Sequence, residues 1–182
     1  MSITYVVQVA DKPGVLNRVV SLVRRRGYNI ESLTVGHAST PGMSRITLVV
    51  DAHPDAAARI EANLYKLVHV RSVQNVTNVP TVFRHLALIK VAATAASRSQ
   101  VIQLVDVFRA RVVDVAPDSL IVEATGADDK IDSLLEALRP FGVIELAKTG
   151  CLAMTRGSSA RSAGESADRP SVEMDAGVSF SV

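Results

Sequence analysis

The chain has 182 residues, of which 48% are hydrophobic and 4% are aromatic, and its formal net charge is +2. This charge is too small to argue for a nucleic-acid partner, and the single cysteine, Cys151, excludes a disulfide within the chain. No apolar run approaches the ~18 residues that a membrane span requires, and the chain enters a strand without an export signal, so a soluble cytoplasmic protein is expected.

The first 79 residues predict the order strand, helix, strand, strand, helix, strand. Apolar residues alternate over residues 3–10, as in a strand, and Asp11-Lys12-Pro13-Gly14 is a turn by composition. A helix follows, and it ends at three arginines and Gly27. The predicted apolar faces of the two helices consist of Leu16, Val19, Val20, Val23, Ala57, Ile60, Leu64, Leu67 and Val68. In the last three strands, Leu33 and Val35 share one face, and the apolar residues that form the other two are Ile46, Leu48, Val50, Val70, Val73 and Val76.

Pro80 marks a boundary, after which the same order repeats. Strands are predicted over residues 83–91, 112–115 and 120–125, and one last strand over residues 143–154. The predicted inward-facing residues of the two helices are Val101, Ile102, Val105, Phe108, Ile131, Leu134, Leu135 and Leu138.

The fold class that follows is α+β, with two ferredoxin-like βαββαβ domains in tandem. Their predicted extents are residues 1–79 and 80–157. Residues 158–182 are rich in serine and poor in large apolar residues, so they predict a disordered tail.

Apolar residues on both faces of the first strand predict association between chains. Val6 and Ala10 lie on the face opposite Tyr5 and Val9. In this fold two helices cover one face of the sheet and leave the other bare, and a bare apolar face favours assembly. We expect a dimer at least, with sheet edges as one way of pairing.

The sequence contains no recognisable catalytic or metal-binding motif. None of the four histidines has a second ligand at metal-binding spacing, and neither a nucleophile elbow nor a phosphate-binding loop is present. Cys151 lies in an apolar segment, which favours an inert buried thiol over a nucleophile. No catalytic residue, metal or cofactor is therefore predicted in this chain.

One pair of segments, Asp11–Leu16 and Gly27–Ser32, stands out. The first is a strand-to-helix turn, and a helix N-terminus exposes backbone N–H groups that favour a carboxylate. Gly14 has no Cβ, so a ligand can approach the backbone closely. The alternative interpretation is a connecting turn that uses proline and glycine for its shape alone.

These segments resemble a known family. Asp11-x-Pro-Gly-Val-Leu16 is similar to the ligand loop of ACT domains, which sense amino acids. The continuation resembles the small-subunit family of acetolactate synthase over residues 1–157. The matching segments are Arg26-Gly-Tyr-Asn-Ile-Glu-Ser-Leu33, Ser44-Arg-Ile-Thr47, Leu64-x-Lys-Leu-Val68, Leu86-Ala-Leu-Ile-Lys-Val91, Phe108-Arg-Ala-Arg-Val-Val-Asp-Val115, Glu123-Ala-Thr-Gly126, Lys130-Ile-Asp132, Phe141-Gly142 and Thr149-Gly150.

The resemblance implies a regulatory subunit rather than an independent enzyme. Its partner would be the catalytic large subunit of acetolactate synthase, which carries thiamine diphosphate, magnesium and FAD and acts in valine, leucine and isoleucine biosynthesis. The small subunit would activate this partner and confer allosteric feedback inhibition by valine. The implied valine site joins the loop of one protomer, with Asp11, Gly14, Val15 and Leu16, to Asn29 and Ile30 of the other.

Two residues depart from the family pattern. Many members have asparagine where this chain has Asp11, and a carboxylate there repels the ligand carboxylate but attracts its ammonium group. The glutamate common before Leu86 is His85 here.

Three other functions are alternatives, and each requires a feature of its own. An amino-acid sensor for another partner, such as a transcription regulator, needs a helix-turn-helix segment. An RNA-binding domain needs stacking aromatic residues on its central strands. An independent enzyme needs converging titratable groups.

Overall fold

The computed structural model describes residues 1–157 of the 182. It contains two antiparallel sheets, each covered on one face by two helices. The predicted tail, residues 158–182, lies outside the described residues.

The first domain has the predicted order of elements. They are β1 (Ser2–Ala10), α1 (Val15–Arg25), β2 (Asn29–His37), β3 (Met43–Asp51), α2 (Ala57–Tyr65) and β4 (Val70–Asn75), with a 3₁₀ turn at Pro54–Ala56 before α2. The strands lie in the order β2-β3-β1-β4, so β2 forms one edge of the sheet.

The second domain repeats this order and adds a strand. Its elements are β5 (Thr81–Ala92), α3 (Arg98–Val107), β6 (Arg111–Val115), β7 (Ser119–Gly126), α4 (Asp128–Leu138), β8 (Val143–Lys148) and β9 (Leu152–Thr155). The main sheet has the order β6-β7-β5-β8, and β9 pairs with β5. The predicted fold class, two ferredoxin-like domains in tandem, is confirmed.

Each domain has its own apolar core between its helices and its sheet. The first core is built on Tyr5, Leu48 and Leu64, and the second on Ile89, Ile131 and Leu134, all of them fully buried. Alternate strand residues face the helices in both sheets, as the period of two requires. Burial of these side chains is what stabilises each domain.

Three residues predicted to face inward are exposed. Val15, Val19 and Val23 form the buried stripe of α1, so Val19 and Val23 face inward as predicted, but Val15 takes the place predicted for Leu16, which is 40% exposed. Val68 is 64% exposed because α2 ends at Tyr65. Ile102 is 38% exposed because Val101 and Val105, four residues apart, occupy the buried face of α3.

The prediction of a single last strand over residues 143–154 is wrong. The chain leaves the sheet after β8, and Thr149, Gly150 and Cys151 belong to no strand. It then pairs again as β9 with the first four residues of β5, where Thr81 lies opposite Thr155. The sequence does carry a local sign of this break, since Gly150 interrupts the strand pattern directly after Thr149.

This return of the chain covers the face of the first sheet that was predicted to be bare. Val6 is 2% exposed and packs with Val76 and Ala153, against which Phe83 also lies. The second domain has exposed apolar residues of its own, among them Leu88 and Leu152, which are 39% and 55% exposed. The argument for association from Val6 is therefore wrong, because the same chain covers this residue.

Among residues 1–157, no helix is long and apolar enough to cross a membrane.

The two leucines of the second domain that differ most in burial give a test of this packing. Leu134→Ala empties a fully buried position of α4 and is expected to lower the free energy of unfolding by about 2–5 kcal/mol. The matched change Leu152→Ala, at a half-exposed position of β9, is expected to cost about 0.5 kcal/mol or less. Urea unfolding followed by circular dichroism measures both, and equal losses would contradict the assigned core.

Candidate functional site

The loop between β1 and α1 is fixed by backbone hydrogen bonds. The Asp11 N–H donates to the Gly42 carbonyl at 2.9 Å, and the Lys12 N–H donates to the Ala10 carbonyl at 2.9 Å. Gly14 then caps the helix in the left-handed region, with φ 80°, and no side chain caps the helix. A left-handed turn explains why glycine stands at this position.

The first turn of α1 leaves several backbone amides free. The Gly14 carbonyl accepts a hydrogen bond from the Arg18 N–H at 3.1 Å, which closes the turn. The Val15 N–H donates to the Lys12 carbonyl at 3.3 Å. Within residues 1–157, the N–H groups of Gly14, Leu16 and Asn17 donate to no protein acceptor. This end of the helix can therefore bind an anion.

The side chains of the loop have different surroundings. Val15 is buried in the first core, whereas Leu16 is exposed beside the free amides. The Asp11 carboxylate lies 3.6 Å from Nδ1 of His37, at the end of β2. Neither His37 nor Asn17 was among the residues predicted for this site. Asn17 follows from the rule that the first turn of a helix has free amides, whereas the position of His37 depends on the register of the sheet.

Asn29 and Ile30 lie at the opposite end of β2 from this loop. Asn29 pairs with Asp51, at the far end of β3, and β2 extends about 26 Å from Asn29 to His37 at the usual rise of a strand. One protomer therefore brings Asp11, Gly14, Val15 and Leu16 together but keeps Asn29 and Ile30 away from them.

A β-bulge separates Ile30 from the rest of β2. Ile30 pairs with Val50 and Ser32 with Val49, so Glu31 is the extra residue. Asn29 is exposed, and Ile30 lies partly buried against the first core. A bulge of this kind changes the direction of the side chains around it.

Cys151 is a buried thiol, as predicted. It is 5% exposed, and burial raises its pKa, so the thiol stays protonated and is a poor nucleophile. No group of three histidine, cysteine, aspartate or glutamate residues suitable for a metal ion occurs in the described part of the chain.

His85, the second departure from the family pattern, lies between the domains. Its ring Nδ1 lies 3.4 Å from the Thr149 carbonyl, and its Nε2 lies 3.8 Å from the Asp128 carboxylate. Asp128 also binds the ammonium group of Lys148. Burial lowers the pKa of Lys148, but the bonds to Asp128 and Asp132 outweigh this effect, and the pKa is raised overall.

Two family models match the chain. One, described as "AHAS small subunit-like ACT domain", covers residues 6–72, and the other, "Small subunit of acetolactate synthase", covers residues 84–157.

Named relatives and one solved structure agree with these matches. The acetolactate synthase small subunit of Mycobacterium bovis is 49% identical over 85% of this chain and 92% of its own length. A probable acetolactate synthase small subunit of Methanothermobacter thermautotrophicus is 48% identical over 82% and 90%. The crystal structure of the small subunit from Thermotoga maritima, 38% identical, covers 87% of this chain and 99% of its own, with a TM-score of 0.81.

The left-handed cap of α1 predicts that alanine substitution at two glycines changes the stability by different amounts. A Cβ at either Gly14 or Gly36 would meet no atom within 4 Å, but only Gly14 has a positive φ. Gly14→Ala is therefore expected to cost about 1–2 kcal/mol of stability through backbone strain alone. Gly36→Ala, the control within a strand, is expected to be neutral or slightly stabilising. Urea midpoints compare them, and equal stability would contradict the cap geometry.

Proposed function

Since the chain belongs to the acetolactate synthase small-subunit family, we propose that it binds valine and regulates a catalytic large subunit. The observation that carries the amino-acid site is the N-terminus of α1, where three free amides lie beside the exposed Leu16. A free amino acid has a carboxylate for the amides and, in valine, an isopropyl group for the leucine. Hydrogen bonds and the helix dipole both favour the carboxylate.

We propose that two copies of the chain complete the site. β2 is an edge strand, and an edge strand has backbone groups free for pairing. If the β2 strands of two copies pair antiparallel about Leu33, Asn29 of one copy lies opposite His37 of the other. His37 contacts Asp11 within its own chain, so the loop of one copy meets Asn29 and Ile30 of the second.

Five of the six predicted residues have a role in this shared site; the sixth, Val15, does not, because its N–H is bonded to the Lys12 carbonyl and its side chain is buried in the first core. The helix amides hold the valine carboxylate, while the Asn29 amide oxygen and the Asp11 carboxylate accept hydrogen bonds from the ammonium group. Leu16 and Ile30 contact the isopropyl group. An apolar pocket distinguishes one methylene by only ~1–3 kcal/mol, so leucine and isoleucine bind more weakly than valine.

The partner in this proposal is the large subunit that carries thiamine diphosphate, magnesium and FAD. The small subunit raises the activity of this enzyme, and bound valine reverses the effect. Such coupling is typically ~1–3 kcal/mol and is reciprocal, so the large subunit changes valine affinity by the same factor. The four described helices alternate with strands and form no helix-turn-helix unit, which disfavours a transcription regulator.

Two substitutions at Gly14 distinguish the effect of side-chain charge on valine binding from the effect of side-chain size. Gly14→Asp places a carboxylate beside the proposed ligand carboxylate, and Gly14→Asn adds a neutral side chain of the same shape. Both residues tolerate the left-handed region, so both variants are expected to fold. Valine binding by calorimetry is expected to weaken at least about tenfold more in the aspartate variant, a difference of ~1.4 kcal/mol.

The activity of the large subunit and its inhibition by valine are also measured with each of the two variants in the reconstituted complex. Inhibition by valine is expected to be lost in Gly14→Asp and partly kept in Gly14→Asn, with activation retained in both. Valine affinity equal to the wild type in Gly14→Asp would place the ligand elsewhere. Failure of the wild-type chain to bind the large subunit would contradict the proposed partner, independently of the valine site.

A mixed dimer tests whether the site is shared. A dimer of one Gly14→Asp chain and one Asn29→Ala chain has one site with both substitutions and one site with neither. Differently tagged chains allow its purification, and calorimetry is expected to give about one valine per two chains at wild-type affinity, as two-fold symmetry requires. A site within one protomer would leave no intact copy, so absence of tight binding contradicts the shared arrangement.

A further inference from the structure

One close contact between the two domains, which we call the interdomain joint, consists of Ser32 and Thr34 on β2 and of Gly150 and Cys151 between β8 and β9. The Cys151 N–H donates to the Ser32 hydroxyl at 2.7 Å. Ser32 and Thr34 lie on the side of the first sheet opposite its helices, where Ser32 pairs with Val49.

Gly150 lets the two backbones approach without a side chain between them. A Cβ at this position would lie 2.5 Å from the Thr34 hydroxyl oxygen, 2.8 Å from the Leu33 carbonyl and 2.9 Å from the Ser32 hydroxyl. Such distances exclude any residue but glycine unless the domains move apart. The Thr34 hydroxyl is buried, and within residues 1–157 it has no hydrogen-bond partner, so the observed contact leaves a buried polar group unsatisfied.

The joint lies directly beside residues proposed to bind valine. Ser32 follows Asn29 and Ile30 after the one-residue bulge at Glu31. A change in the direction of the first residues of β2 therefore reaches Ser32 through a single irregular residue, without crossing the packed core.

On the other side, the joint connects to the second domain through Lys148 and Thr149. The Thr149 hydroxyl accepts from the Leu86 N–H at 3.0 Å, and the Lys148 ammonium binds Asp128 and Asp132 on the first turns of α4. A displacement of Gly150 is thereby transmitted to β5 and to the start of α4.

The space around the joint permits such a displacement. A cleft of about 940 Å³ lies between the domains, with Glu31 and Leu33 on one side and Phe83, His85 and Asp128 on the other. Apart from the joint, the domains are held by the Arg45 side chain, which donates to the Ala153 carbonyl at 2.6 Å, and by the small cluster around Val6. Rotation of one domain about a small contact of this kind is a common way to transmit binding.

We propose that the interdomain joint transmits occupancy of the valine site to the second domain, by a change in the contact between β2 and the segment that links β8 to β9. The proposal rests on the proposed function, because it needs the effector site at the start of β2. Ser32 acts here as a positioning residue, since it contacts the second domain and not the ligand.

Hydrogen exchange of the full chain, with and without saturating valine, tests the proposal. The peptide covering residues 148–156 reports the Cys151 amide and β9. In the wild type, valine is expected to change its exchange rate at least about fivefold, the lower end of usual coupling. In Ser32→Ala, valine is expected to bind within about threefold of wild-type affinity, a difference of less than ~1 kcal/mol, while the exchange of this peptide no longer responds.

Two further variants complete the experiment. Ser72→Ala changes a serine on β4 of the same sheet and is expected to respond as the wild type does. Gly150→Ala disturbs the joint from the second domain and is expected to bind valine without the response, as Ser32→Ala does.

The outcomes separate the two proposals. Valine binding with unchanged exchange of residues 148–156 in the wild type would overturn the joint and leave the proposed function standing. A wild-type response in Ser32→Ala and in Gly150→Ala would also overturn it. Absence of valine binding by calorimetry in the wild type would overturn the proposed function, and the joint with it.

Discussion

The length of one edge strand determines how the proposed amino-acid site can be assembled. β2 keeps Asn29 about 26 Å from His37, which contacts Asp11 of the loop, because an extended strand of nine residues cannot be shortened. In the proposed site, residues that act together on a ligand of a few ångströms must therefore come from two chains. The same strand provides the edge at which two chains can pair, so its length and its position in the sheet lead to the same arrangement.

The second constraint is the interruption of the last strand at Thr149, Gly150 and Cys151. Had the chain continued in the sheet, β9 would not reach the first four residues of β5, and Val6 would remain open to water. Instead, Ala153 and Phe83 lie against Val6, and Gly150 meets β2. The two domains are thus similar in topology but different in surroundings, since the first has both faces of its sheet covered and the second does not.

Much of this architecture follows from sequence periodicity. The order of elements in both domains was predictable, because alternation and helical spacing are local properties that burial imposes directly. Leu16, Val68 and Ile102 were placed wrongly because several apolar residues compete for a helical face, and the phase of the helix and its end decide between them.

The contact of His37 with Asp11 and that of Gly150 with β2 join residues far apart in sequence, so no local pattern contains them. The free amides of α1 lie between these cases, since the helix start was predictable but the engagement of Val15 was not.

The covering of Val6 has a consequence for biosynthesis. One side chain that shields the first sheet, that of Ala153, belongs to β9, and 80 residues separate Asn75, the end of β4, from Thr155, the end of β9. At about 5–20 residues per second, a ribosome needs about 4–16 s to add them. During this interval the nascent first domain has its helices in place and one apolar face of its sheet uncovered, because the strand that covers this face is the last one in residues 1–157 to be translated.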